Sequence, residues 1–216
     1  MAEKFDFKKE YKDLYHPKTT PTLIDVPPIR FIMVDGKGDP NTSKDYAEAL
    51  ELLYGLSFSI KMSKMSDALP AGYFDYVVPP LEGLWWLGDK SFDGINITDK
   101  SRFCWTSMIR QPDFVTESVF ETAKAKLAQK KPGLPLGKAR LDVYHEGLSV
   151  QIMHIGPYDD EPHSIISMKN FIHAQGYTDD FSNERKHHEI YLSDPRRTPP
   201  ERLKTIIRHP IAAKES

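Results

Sequence analysis

The chain has 216 residues, 39% hydrophobic and 28% charged, with a formal net charge of −2. That composition suits one large folded domain or two small modules, not a disordered chain. A nearly neutral balance argues against a dedicated nucleic-acid binder, which usually carries a basic face, and a single cysteine, Cys104, excludes an intrachain disulfide and a cysteine-built zinc site.

The first twenty residues, MAEKFDFKKEYKDLYHPKTT, lack the apolar core of a secretory signal. No stretch reaches the roughly 18 apolar residues of a membrane span, so a cytoplasmic location is expected. Residues 1–19 read as a charged arm whose aromatics pin it to the body. From Thr20 to Gly38 two short strands are expected, joined at Pro27-Pro28. SKDYAEALELLYGLSFSIKMSK then predicts a helix, with Ser43 as N-cap and Tyr46, Leu50, Leu53, Tyr54 and Phe58 at helical spacing. YFDYVVPPLEGLWWLG and DKSRFCWTSMIRQP are strand candidates, rich in β-branched and aromatic residues. A second helix is expected over 112–131, with Val115, Val119, Ala123 and Leu127 on one stripe. PGLPLG ends it with strong breakers.

The second half echoes the first. LIDVPPIRFIMVDGKG is matched by RLDVYHEGLSVQIMHIGPY, and setting Ile32-Met33 on Ile152-Met153 sets Gly36 on Gly156, both at an offset of 120. A helical segment follows each, and the halves close on MIRQP and IRHP. These echoes predict an α+β fold of tandem duplicated β-α-β-β units with antiparallel sheets: repeat one over 20–131, linker 132–138, repeat two over 139–212. Sheets related in this way must meet or curve around each other, and their junction is a natural cleft. Rings on the faces not covered by helices would line it. The candidates are Tyr54, Trp85, Trp86, Phe103, Trp105, Tyr144 and Tyr191, drawn from an aromatic surplus of three Trp, ten Tyr and eleven Phe. Packing in the core is the ordinary alternative for any one of them.

Two carboxylates stand out. In HHEIYLSDP, strand alternation puts His187, Glu189 and Tyr191 on one face and His188, Ile190 and Leu192 on the other. Glu189 is either a solvated strand residue or the polar group of the cleft. Glu161 follows GPYDD at the entry to the second-half helix, where the dipole also favours a carboxylate. In an aromatic cleft such acids could attract a lipophilic cation or activate a bound water. No metal site is expected: HExxH is absent, and His187 and His188 point to opposite faces. GKGDP lacks the glycines and the Gly-Lys-Ser/Thr ending of a phosphate loop, and nothing like GxSxG supports a serine nucleophile.

FDFKKEYKDLY, DGKGDPN, PPLEGLWW, IGPYDDEP and HEIYLSDPRR together resemble the stand-alone GyrI-like small-molecule-binding proteins, relatives of the effector-binding domains of multidrug-sensing transcription activators. The resemblance spans almost the whole chain. It implies a curved, barrel-like effector-binding fold with pseudo-twofold symmetry and a central aromatic cleft for planar, lipophilic, often cationic aromatic compounds, with no cofactor. It places the family's buried glutamate on Glu189. Some stand-alone members are similar to cyclopropanoid hydrolases, whose second glutamate would fall on Glu161. The sequence shows no helix-turn-helix ahead of the domain, so an activator role is not expected. The alternatives are a non-catalytic binder that sequesters drugs and a gyrase-inhibitor-type interaction module.

Overall fold

The computed structural model describes residues 4–65, 69–88, 92–95 and 99–214. Two short helices, α1 (Phe7–Glu10) and α2 (Lys12–Tyr15), precede strands β1 (Thr22–Val26) and β2 (Ile29–Lys37), which are separated at Pro27-Pro28. Helix α3 (Lys44–Lys61) follows, with the Ser43 side chain accepting from the Tyr46 amide at its N-terminus. Then come β3 (Leu81–Trp86), β4 (Cys104–Arg110) and α4 (Glu117–Lys130), capped by Thr116. The second half contains β5 (Ala139–Tyr144), β6 (Gly147–Ile155), α5 (Glu161–Ala174), β7 (Tyr177–Asp179), β8 (His187–Tyr191) and β9 (Lys204–Ala213). The long strand segments of the sequence shorten to β3 and β4. Pro79-Pro80 cannot donate to a ladder, so pairing starts at Leu81.

The strands form one antiparallel sheet in the order β1-β6-β9-β8-β3-β4-β2-β5, with β7 added on β9. Helix α3 packs on β2 and β4, and α5 on β6 and β7. Register shows that they share a face. Gly83 lies opposite Glu189 and Trp85 opposite His187 across β3–β8. Trp85 also lies opposite Trp105, and Glu189 opposite Ile207. Opposed residues point to the same side, so Trp85, Trp105, His187, Glu189 and Ile207 form the floor beneath the two helices. Ile165, Met168 and Ile172 of α5 close on Val150, Ile152, Ile207 and Ile211. Leu52, Leu53 and Leu56 of α3 belong to the larger core. Gly36 makes room for one of the two floor tryptophans: a Cβ there would come within 2.1 Å of the Trp105 ring.

The other face of the sheet is covered in part by the N-terminal arm. Phe7, Leu14 and Tyr15 are buried, and the Arg110 guanidinium lies over the Phe7 and Tyr11 rings. The Tyr15 hydroxyl donates to Glu82. Among the described residues no helix is long and apolar enough to cross a membrane.

Candidate functional site

The junction of β3 and β8, between the two helices, gathers the polar groups of the helix face. Glu189 sits mid-strand with 14% of its side chain exposed. Its Oε1 accepts from His187 Nε2 at 2.8 Å, and its Oε2 accepts from the Tyr191 hydroxyl at 2.7 Å. Trp85 Nε1 donates in turn to that hydroxyl at 3.0 Å. Alternation makes this possible: residues 187, 189 and 191 share one side of the strand. Gly83, directly opposite Glu189, lets the Trp85 indole lie back beside Tyr191. A Cβ at position 83 would come 2.7 Å from Trp85 Nε1 and 3.2 Å from the Tyr191 hydroxyl. Gly83→Ala is therefore expected to break the indole–phenol bond and lower stability by about 1–3 kcal/mol, measured as a fall in the urea midpoint together with a change in tryptophan emission.

Glu161 opens α5 and points at the same junction. It is 6% exposed, and its Oε1 has no hydrogen-bond partner. Burial, and then the Glu189 carboxylate, hold Glu161 well above the usual carboxylate range. The two acids therefore differ: Glu189 receives two donated hydrogen bonds, and Glu161 favours its neutral form. Around them stand three phenols. Burial raises Tyr191, which the Glu189 charge raises further. Tyr46 of α3 is raised by burial and by Glu189. Tyr158, in the turn before α5, is pushed up to about 12 by burial, Glu189 and Glu161. All three are therefore neutral donors at physiological pH. Tyr46 meets Trp105 edge-on at 5.0 Å, and Tyr158 meets Tyr191 edge-on at 6.0 Å.

Glu161, His187 and Glu189 offer ligand atoms within 4.8 Å of one another. Both ring nitrogens of His187 are already engaged, Nε2 by Glu189 and Nδ1 by His209 at 2.7 Å. The cluster is thus held together by its own hydrogen bonds.

The residues singled out in the sequence are distributed as follows. Glu161, Glu189, Tyr191 and Trp85 converge. Phe103 packs edge-on against Trp85 at 5.4 Å, one shell away. Trp105 is fully buried beneath Tyr46, its Nε1 unpartnered. Tyr54 lies out on α3, 39% exposed and stacked with Phe58. Two residues lie apart. Trp86, next to Trp85 on the same strand, must face the other way, and Lys186 covers its ring. Tyr144 also lies on the far face, edge-on to His188 beside a small cavity of about 10 Å³ lined by Glu82, Glu146 and Arg208. Sequence reading missed Tyr46, Tyr158 and His209. The i, i+4 step from Tyr46 through Leu50 to Tyr54 was the available signal for the first.

A family model for the GyrI-like small molecule binding domain matches residues 19–212. The crystal structure of a hydrolase from Listeria innocua is 46% identical, with a TM-score of 0.88 over 97% of this chain and 100% of that one. A second Listeria innocua structure, of an uncharacterized conserved protein, is 47% identical, with a TM-score of 0.91 over the same shares of both chains. The EcmrR C-terminal domain, 12% identical with a TM-score of 0.52 over 90% of this chain and 98% of that domain, shares the fold alone. Among curated proteins none matches the chain. With nine-tenths of its length matched, the chain belongs to the GyrI-like small-molecule-binding family.

Proposed function

We propose that this protein is a hydrolase that takes planar aromatic compounds onto the floor between α3 and α5 and opens a strained cyclopropane ring with water. The observation that carries the reading is the unequal acid pair. A hydrogen-bonded Glu189 carboxylate and a buried, unpartnered Glu161 face one another, with Tyr46, Tyr158, Tyr191 and Trp85 around them. The 46%-identical relative is named a hydrolase, which supports the reaction class. The strand order supports a duplicated architecture. Outward from the β3–β8 junction, one side runs β4, β2, β5 and the other β9, β6, β1. With the added β7 set aside, each half thus contributes its fourth and second strands and borrows the other's first.

In this reading the planar ligand stacks against the rings, and Glu189 positions a water at the strained carbon. The water oxygen forms the new C–O bond as a ring C–C bond breaks, and that electron pair moves to the conjugated carbonyl oxygen. Glu189 takes the water proton and gives it up to that oxygen as the adduct leaves, which restores the carboxylate. Glu161, kept neutral, can orient the water without competing for its proton. Tyr158, a neutral phenol, suits the carbonyl oxygen where charge develops. Incubation with a cyclopropane-bearing aromatic electrophile should yield the one-water adduct by mass spectrometry, undiminished by a chelator. No adduct above the uncatalysed background would end the enzyme reading.

A binder without chemistry is the second reading, favoured by the same rings beside a carboxylate, which suit a lipophilic cation. A cationic dye that binds tightly, is recovered unchanged and fails to compete with the electrophile would favour it.

A further inference from the structure

Glu189 is one end of a buried chain that leads away from the site. His187 Nε2 lies 2.8 Å from Glu189 Oε1, and His187 Nδ1 lies 2.7 Å from His209 Nε2. His209 Nδ1 lies 3.9 Å from Asp179 Oδ1, at the end of β7. Both of those last atoms are buried and lack a hydrogen-bond partner. An orphaned buried polar atom is destabilising. A closure of about 1 Å would satisfy both at ordinary hydrogen-bond length. A bare imidazole nitrogen and a carboxylate oxygen both accept, so that link needs a proton.

The surroundings keep the chain dry. Both imidazoles are almost fully buried. Phe92 stands edge-on to His187 at 5.3 Å, and Phe181 edge-on to His209 at 4.9 Å. Asp179 is the outer end, with 24% of its side chain exposed.

We infer that Glu189, His187, His209 and Asp179 share one proton, so that the ionisation of Asp179 at the outer end decides whether Glu189 is a carboxylate. The consequence for turnover rests on the reading of Glu189 as the base; the sharing itself does not. Two arrangements satisfy every link. In the first, Asp179 carries the proton and donates to His209 Nδ1, His209 Nε2–H donates to His187 Nδ1, and His187 Nε2–H donates to the Glu189 carboxylate. In the second, each proton has moved one step along. Asp179 has protonated His209 Nδ1, His209 has passed its Nε2 proton to His187 Nδ1, and His187 has passed its Nε2 proton to Glu189. Asp179 is then the carboxylate and Glu189 the acid, and the charge of the chain is unchanged.

The neighbouring groups favour the first arrangement. Burial raises Asp179 above the ordinary range, against the pull of Lys169 and His173 and with the help of Asp93. Lys169 is itself paired with Asp93 at 2.7 Å, which weakens that pull. Burial, His187 and Lys169 hold His209 neutral. Glu189 faces Glu161, Tyr46, Tyr158 and Tyr191 besides His187. His187, His209 and Asp179 are thus positioning residues that act through Glu189.

The test uses the full chain. Ring-nitrogen NMR of the ligand-free protein is compared for wild type, Glu189→Gln and Asp179→Asn, and the pH–rate profile of Asp179→Asn is measured on the cyclopropane-bearing electrophile. The His209 ring nitrogens should shift in both variants, although Glu189 does not touch His209. The acid limb of kcat should move by about one pH unit, with KM unchanged on the plateau. Asp179→Asn changes only a partly exposed terminus of a short strand, so it should fold where a histidine variant could fail. His209 nitrogens indifferent to Glu189→Gln, or an acid limb identical to wild type, would overturn the inference. If wild type turns over no such compound, the functional reading fails while the NMR comparison still decides the proton sharing.

Discussion

Glu189→Gln is expected to bind the planar ligand and to lose turnover by about 10²–10⁴-fold, the contribution of a positioned general base. The amide keeps the shape, but its single oxygen can accept from only one of His187 Nε2 and Tyr191, the two donors that hold the carboxylate, and its NH2 faces the other. It cannot take a proton from water. Affinity, followed by quenching of the nearby tryptophans, should change little for a neutral ligand. For a cationic one it should fall, because the charge opposite the rings is lost. Glu161→Gln separates the second acid by its effect on stability. The sign follows from the raised folded pKa of Glu161. Its neutral form is favoured in the fold, so that contribution is present below the unfolded pKa and is lost as pH rises through the folded value. Removing the titration should raise the thermal midpoint at pH 8 relative to wild type and leave it nearly unchanged at pH 4. Stabilisation by loss of a buried acid, together with slower turnover, is the expected mark of a group retained for chemistry. Equal turnover in Glu189→Gln and wild type would remove Glu189 as the base.

How far the site could be read from the sequence follows from strand parity. The grouping of His187, Glu189 and Tyr191 needs only the two-residue period of HHEIYLSDP, and the structure keeps it because β8 is regular and central. The same period separates Trp85 from Trp86, so an adjacent pair of rings could never serve one surface. Tyr144 was harder to place. It sits at the end of β5, and the pairing of that strand with the far edge of β2 turns its ring onto the arm-side face. The Glu161–Glu189 encounter joins residues 28 positions apart, and only the packing of α5 over β6 makes it visible. His209 and Asp179 are less legible still. A histidine in IRHP reads as a strand end, and the 3.9 Å approach of its ring to Asp179 depends on β7 adding to β9. Helix α3 was read closely because Ser43 is an effective cap ahead of an apolar stripe, whereas α4 begins at Glu117, after the Thr116 cap, and not at Pro112.

Glu146→Ala is expected to be the most destabilising single change, at about 3–5 kcal/mol, against the ~5–15 kcal/mol of a typical domain. Glu146 is in the tight β5–β6 turn, yet it is 1% exposed. It accepts from Arg208 at 2.9 Å and bonds His188 Nδ1 at 3.1 Å, while His188 Nε2 reaches Glu82 at 3.1 Å. Arg208 also donates to Gln151 and to the Leu14 carbonyl, and Tyr15 donates to Glu82. One acid thus ties the sheet to the N-terminal arm, and its loss leaves the buried Arg208 charge without an acid partner and His188 with Glu82 alone. The network also sets a pH window. His188 is raised to about 9: burial opposes its charge, and Glu146 and Glu82 outweigh that penalty. Its contribution is complete below the unfolded value near 6.5 and is lost as pH rises through about 9. Glu146 is lowered to about 2, with His188 and Arg208 overcoming its burial. Its contribution is complete above the ordinary carboxylate range and is lost as pH falls toward 2. Wild type should therefore be most resistant to urea between about pH 4.5 and 6.5, and Glu146→Ala should flatten that maximum on both sides. A urea midpoint for Glu146→Ala equal to wild type at pH 6 would show that the arm and sheet are held by apolar contact alone.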